Sequence, residues 1–146
     1  MHCLALISAV DPLLVDLTAL ALHGQDALVL TASLHAGGED DFIRLTAAQL
    51  PPGGVGGGVA TAPVLDVART TDCWTCSLRE VLVAIAGDRS RLEPDGTTVV
   101  LLPPGVELIH LAPRLAEDLA EVPGAALAGL AHVIDVDTAA RDLLTH

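Results

Sequence analysis

The sequence predicts an α/β fold, an open and mostly parallel sheet with helices on both faces. Three observations carry this. Short, largely apolar runs at 4–10, 27–34, 97–102 and 130–136 have the length and composition of buried parallel strands. Helix-like stretches lie between them, with turn signals at the junctions. Aromatic residues are nearly absent, with one Trp, one Phe and no Tyr. The core must therefore be aliphatic, which suits closely packed layers of helix on sheet.

Leu4 to Val10 opens the chain as a strand. Asp11-Pro12 supplies an N-cap and a proline suited to a first helical turn, and the helix runs from Leu13 to Leu22, closing near His23-Gly24. Ala27 to Leu34 is the second strand, completing a β-α-β start with the first strand expected at the centre of the sheet. His35 to Asp41 is a polar loop, and Phe42 to Leu50 reads either as a short helix or as an edge strand. Residues 51–58, Pro-Pro-Gly-Gly-Val-Gly-Gly-Gly, form a flexible loop. Its glycines neither follow a strand nor open a helix, so they do not make a phosphate cradle. Val64 to Thr71 alternates weakly and reads as a strand.

Thr97 to Leu102 is a further buried strand, stopped by Pro103-Pro104-Gly105. Glu107 to Ala120 reads as a helix kinked or split at Pro113. Val122-Pro123-Gly124 breaks it, with another helical turn over Ala125 to Leu130. Leu130 to Val136 is the last strand, and Asp137 caps a short helix to Leu144. Ligands in such sheets sit outside the carboxyl ends of the strands. The segments predicted there are Ala9-Val10-Asp11, Pro103-Pro104-Gly105, Asp135 to Asp137 and the stretch that follows residue 71.

That stretch, Asp72-Cys73-Trp74-Thr75-Cys76-Ser77-Leu78-Arg79-Glu80, holds two of the three cysteines and the single tryptophan. Ser77 with Glu80 three residues on reads as a capping box before Val81 to Ile85, which puts both thiols at the N-terminus of a helix. The positive end of the helix dipole favours thiolate, the form that binds metal or attacks a disulfide. Cys73 and Cys76 are the candidate metal ligands. A lone C-x-x-C is half a zinc site, or a redox pair, or two small buried residues beside a cap. Trp74 is expected to cover the thiols or to pack under their loop. Cys3, in the first apolar run, is expected in the core.

The 146 residues suit one domain, 1–146. No apolar run reaches the length of a membrane span, and Met1-His2-Cys3 has neither the basic start nor the cleavage site of a signal peptide. With an odd cysteine count, a reducing, cytoplasmic location is expected. The net charge is −12 and all seven basic residues are Arg. No basic stripe for nucleic-acid phosphates is present, and mechanisms that need a lysine are excluded.

With these pieces in order the chain resembles the CobW-like GTPases, the family of cobalamin-synthesis and zinc-chaperone proteins. Cys73-Trp74-Thr75-Cys76-Ser77-Leu78-Arg79 matches that family's Cys-x-Cys-Cys motif and the following Ser-Leu-Arg, with Thr75 in place of the middle cysteine. Leu102-Pro103-Pro104-Gly105 stands where Glu-Thr-Ser-Gly occurs, matching only at Gly105, and Val136-Asp137-Thr138-Ala139 resembles the Val-Asp-Ala strand end. The resemblance implies a P-loop-NTPase-like sheet with a degenerate nucleotide site. The phosphate loop works through glycine N–H groups, a lysine and a hydroxyl on magnesium. In register, Ala9 to Asp16 puts Val15 at the lysine and Asp16 at the hydroxyl, and no glycine is present. Leu102 replaces the metal-side acid. GTPase activity and nucleotide binding are therefore not expected. The resemblance is closer to a diverged actinobacterial branch that includes the mycobacterial ribosome-remodelling factor, whose thiol motif is C-x-x-C. That similarity implies a non-enzymatic pseudo-GTPase in zinc handling or the response to zinc limitation, with zinc as the metal and a protein partner or the ribosome. Thiol–disulfide exchange through Cys73 and Cys76 is the alternative.

Among the scattered histidines, His35 and His110 lie on the side of the sheet where they could complete a zinc site, although isolated histidines are usually surface residues. His2, His23, His132 and His146 carry no spacing signal. Asp135 and Asp137 at a strand end could hold a metal, with helix capping the more common role for Asp137. No G-x-S-x-G is present, so the sequence offers no hydrolase signature.

Overall fold

The computed structural model describes residues 1–9, 11–22, 27–37, 40–49, 60–69 and 72–134. The elements run β1 (His2–Ala9), α1 (Pro12–Leu22), β2 (Leu28–His35), β3 (Phe42–Gln49), β4 (Ala60–Ala68), α2 (Trp74–Leu92), β5 (Thr97–Leu101), α3 (Leu108–Ala120) and β6 (Ala125–Val133). The predicted loop at 51–58, the helix from Asp137 and the candidates His23, His146, Asp135 and Asp137 lie outside the described residues.

The strands form one sheet in the order β4-β3-β2-β5-β1-β6. β1 pairs in parallel with β5 and with β6, and β2 pairs in parallel with β5. β3 is antiparallel to both β2 and β4, so among the described strands it alone runs against the rest. The α/β class and the mostly parallel sheet follow the prediction. The expected central place of β1 does not. β1 has a partner on each side but is second from an edge, because β6 alone lies beyond it while the β2–β3–β4 meander extends the other side.

Strict alternation along β1 divides the core in two. Leu4 and Leu6 are fully buried on one face, where they join Leu78, Leu82 and Ala86 of α2 and Leu111, Leu115 and Leu119 of α3. Ala5, Ile7 and Ala9 face the other way and meet Val15 of α1, with Val29, Val99 and Leu101 from the neighbouring strands. The helices thus cover both faces. The four-residue spacing of Leu111, Leu115 and Leu119 puts them on one stripe of α3. Burying each such side chain is worth about 1.5–3 kcal/mol relative to exposure. Pro113 does not split this helix. It sits on the solvent face, where water can reach the carbonyl that its missing N–H leaves unpaired.

Two regions depart from the sequence reading. Phe42 to Gln49, read as a short helix or an edge strand, is a strand with Ile43 and Leu45 buried, but it lies inside the sheet between β2 and β4 and not at an edge. Ala125 to Leu130, expected as a helical turn, is the first part of β6. Gly124, at φ 78°, turns the chain out of α3, and its carbonyl accepts the His2 N–H at 2.7 Å. That anchor starts a parallel ladder, His2 opposite Ala125 to Ala9 opposite Val133, which overrides the helix preference of an alanine-rich segment.

His2 is buried and serves the sheet. Its Nδ1 lies 2.7 Å from the Glu93 carbonyl oxygen and its Nε2 lies 2.8 Å from Thr98 Oγ1. A carbonyl only accepts, so Nδ1 carries a proton. No described helix is long and apolar enough to cross a membrane.

Candidate functional site at the head of the thiol helix

β4 runs in the same sense as β1, β2 and β5, so the chain leaving it reaches the carboxyl edge of the sheet. There α2 begins, earlier than the Ser77 capping box predicts. Its first residue is Trp74 and its N-cap is Cys73, in extended conformation at φ −94° and ψ 109°. The sulfur of Cys73 accepts the backbone N–H of Cys76 at 3.1 Å, doing the work of a capping hydroxyl. The Ser77 N–H donates to the Cys73 carbonyl at 3.1 Å, so Ser77 lies inside the first turn, where it is buried. A serine-to-glutamate spacing of three fits a cap, but it also fits this buried first-turn position, and packing of Leu78, Val81 and Leu82 decides between them.

The two thiols are brought together and are unequal. Cys73 is exposed and Cys76 is half-buried, and neither is in a disulfide. A hydrogen bond from the Cys76 thiol, together with the backbone N–H groups of Cys76 and Thr75 and the charge of Arg79, holds the Cys73 thiol below its ordinary pKa. The same thiol–thiol hydrogen bond, with desolvation and the negative charge on Cys73, pushes Cys76 up. The pair thus gives up its first proton readily, from Cys73, and its second with difficulty.

Arg69, not singled out by the sequence, fixes the loop that carries the pair. Its guanidinium pairs with Asp41 at 2.6 Å, donates to the Asp72 carbonyl at 3.3 Å and lies over the Trp74 ring at 4.8 Å. Trp74 is half-buried and packs against the core. Arg79, one turn into α2, pairs with Asp118 of α3 at 2.7 Å and leaves its charge near both sulfurs.

Beside the pair is an open cleft of about 350 Å³, bounded by Trp74 and Thr75, by Leu34 at the end of β2, and by Pro104 to Glu107 and His110. The carboxyl ends of β2 and β5 and the head of α2 therefore meet, as the ligand-edge rule predicts. Of the two candidate histidines, His110 lines this cleft as expected, but each already has another partner. His110 takes Glu107 as partner at 2.9 Å, and His35 stacks on Phe42 with ring centroids 4.8 Å apart and bonds Ser33 Oγ at 2.9 Å. Among the described residues no group of three or more His, Cys, Asp or Glu converges as a metal site. Cys3 is half-exposed on β1, away from the core interior in which it was expected.

At the other predicted ligand edge, Asp11 closes the N-terminus of α1, its Oδ1 accepting the Leu14 N–H at 3.0 Å. A carboxylate therefore caps the first turn of α1. Comparison with family models, with curated proteins and with solved structures finds no match to this chain. The resemblance to CobW-like GTPases rests on the motifs quoted above.

Proposed function

We propose that this chain is a CobW-like pseudo-GTPase domain, P-loop-like in its sheet but without nucleotide chemistry, that handles zinc through Cys73 and Cys76. The observation that carries the reading is the placement of two thiols on one helix N-terminus, with the outer one held toward thiolate. Sulfur donors suit zinc, which binds thiolate and not thiol. Two sulfurs supply half of a tetrahedral set. A site of this kind suits zinc as cargo, taken from or passed to a partner that supplies the remaining ligands, better than zinc as a permanent structural ion. Asp11 at the head of α1 supports the loss of nucleotide binding, because a carboxylate there repels a triphosphate. On the same reading the partner is a protein or a ribosome surface, approached through the cleft beside Trp74. Titration of zinc against a chromophoric chelator tests the proposal, with competition lost in Cys73→Ser and in Cys76→Ser.

The thiol asymmetry favours a second reading, thiol–disulfide exchange. A Cys73 thiolate would attack the disulfide of a partner and Cys76 would resolve the mixed disulfide, its proton being the one already shared with Cys73. The two readings use the same sulfurs and separate on whether zinc or an oxidant engages them.

A further inference from the structure

A second cavity, of about 460 Å³, opens at the carboxyl ends of β1 and β6, and Gly105 to Ile109 close it from the side of α3. Ser8 on β1 stands opposite His132 on β6 in the parallel register, and Ser8 Oγ lies 2.6 Å from His132 Nδ1. Both residues line the cavity. Ser8 is only 4% exposed, so its hydroxyl is shielded from bulk water, whereas His132 is open to solvent.

We propose that Ser8 and His132 form a nucleophile–base pair that accepts acyl groups from small, uncharged esters. A serine is a poor nucleophile until a base within hydrogen-bond reach removes its proton, and the observed distance provides that contact directly. Acyl transfer also needs donors for the developing oxyanion. The first turn of α3 borders the cavity, and the N–H groups of Leu108 and Ile109 come before its first helical bonds, which His110 and Leu111 make to the Glu107 carbonyl at 3.1 and 3.3 Å. The N-cap Glu107 makes no side-chain cap on that turn. Its carboxylate is engaged with His110 instead. The remaining walls are apolar, from Ala9, Val106, Leu108 and Ile109, and with Glu107 at the rim the cavity selects against anionic substrates. Its volume lies within the range of about 300–1,000 Å³ usual for small-molecule sites.

In the step proposed, Ser8 Oγ bonds to the acyl carbon as its proton passes to His132 Nδ1, and the carbonyl electron pair moves onto oxygen. Collapse breaks the bond to the alcohol, which leaves with the proton from His132. Water then attacks the acyl-serine, giving one proton through His132 to Ser8 Oγ and releasing the carboxylic acid. The pair does not involve the thiols, so this proposal and the zinc reading stand or fall separately.

The test uses the full chain carrying Cys73→Ser and Cys76→Ser, so that thiol acylation does not contribute. An alkyl fluorophosphonate is reacted with it, and the adduct is located by intact mass and peptide mapping. A covalent adduct on Ser8 is expected, absent in Ser8→Ala and formed at least about 100-fold more slowly in His132→Gln. His132 is exposed, so its replacement leaves the fold intact, which circular dichroism verifies, and the histidine variant decides the matter if Ser8→Ala does not fold. No adduct on Ser8, or equal labelling in His132→Gln, overturns the proposal and identifies the contact as a tie between the two strands.

Discussion

The backbone N–H of Cys76 donates to Cys73 Sγ at 3.1 Å, so one thiol of the motif caps the helix that carries the other. The Cys76 thiol, and with it this backbone N–H, holds Cys73 below the ordinary thiol pKa at the start of α2. Cys73 is predicted to alkylate at lower pH than Cys76, its rate rising with pH and levelling off above a pKa lower than that of an ordinary thiol. In Cys76→Ala the profile moves back up, because the largest stabilising hydrogen bond is gone. Iodoacetamide rates resolved by peptide mass measure this. Equal profiles, or Cys76 reacting first, would show that the asymmetry does not exist in solution.

Trp74 is the one tryptophan of the chain and sits next to Cys73 in sequence, with Arg69 over its ring at 4.8 Å. Its emission should change when zinc or an oxidant engages Cys73. Arg69→Ala should shift the emission to the red and lower stability by about 1 kcal/mol, since an exposed cation–π contact contributes about 0.5–1 kcal/mol and a surface ion pair about 0.2–1 kcal/mol. Fluorescence-detected urea unfolding reads both effects, and an unchanged spectrum would remove Arg69 from the loop's support.

In the core, Thr98→Val keeps the shape of the side chain but leaves His2 Nε2 without its partner. A loss of about 1–3 kcal/mol is expected. Leu82→Ala and Leu115→Ala, both at fully buried positions between helix and sheet, should each cost about 2–5 kcal/mol. Urea denaturation midpoints at constant slope check all three.

Isothermal titration with GTP and magnesium should give flat heats, because Asp11 occupies the head of α1 and the lysine and glycines of a phosphate loop are missing. Val15→Lys should not restore binding. A micromolar Kd for the unaltered chain would contradict the pseudo-GTPase reading.

The buried strands were legible because β1, β2 and β5 are short, largely apolar runs bounded by turn signals. β6 was misread at its start because Ala-Ala-Leu-Ala-Gly-Leu has helix-forming residues, and only the ladder to β1 makes it a strand. The thiol pair was legible as a local motif, but its cap was not. A cysteine sulfur taking the place of a capping hydroxyl leaves no mark that distinguishes it from Ser77. Contacts made by the fold were beyond the sequence altogether. Arg69 reaches Asp41 across the β3–β4 end of the sheet, and Ser8 meets His132 from 124 residues away.

The central claim is that Cys73 and Cys76 hold zinc as exchangeable cargo. Competition between the reduced chain and a chromophoric zinc chelator, followed by thiol counting after mild oxidation, tests it most directly. The account predicts one zinc bound per chain with weak to moderate affinity, because two of the four ligands come from elsewhere, and loss of competition in Cys73→Ser and Cys76→Ser alike. A reversible disulfide formed without any zinc competition would contradict it and assign the pair to thiol–disulfide exchange.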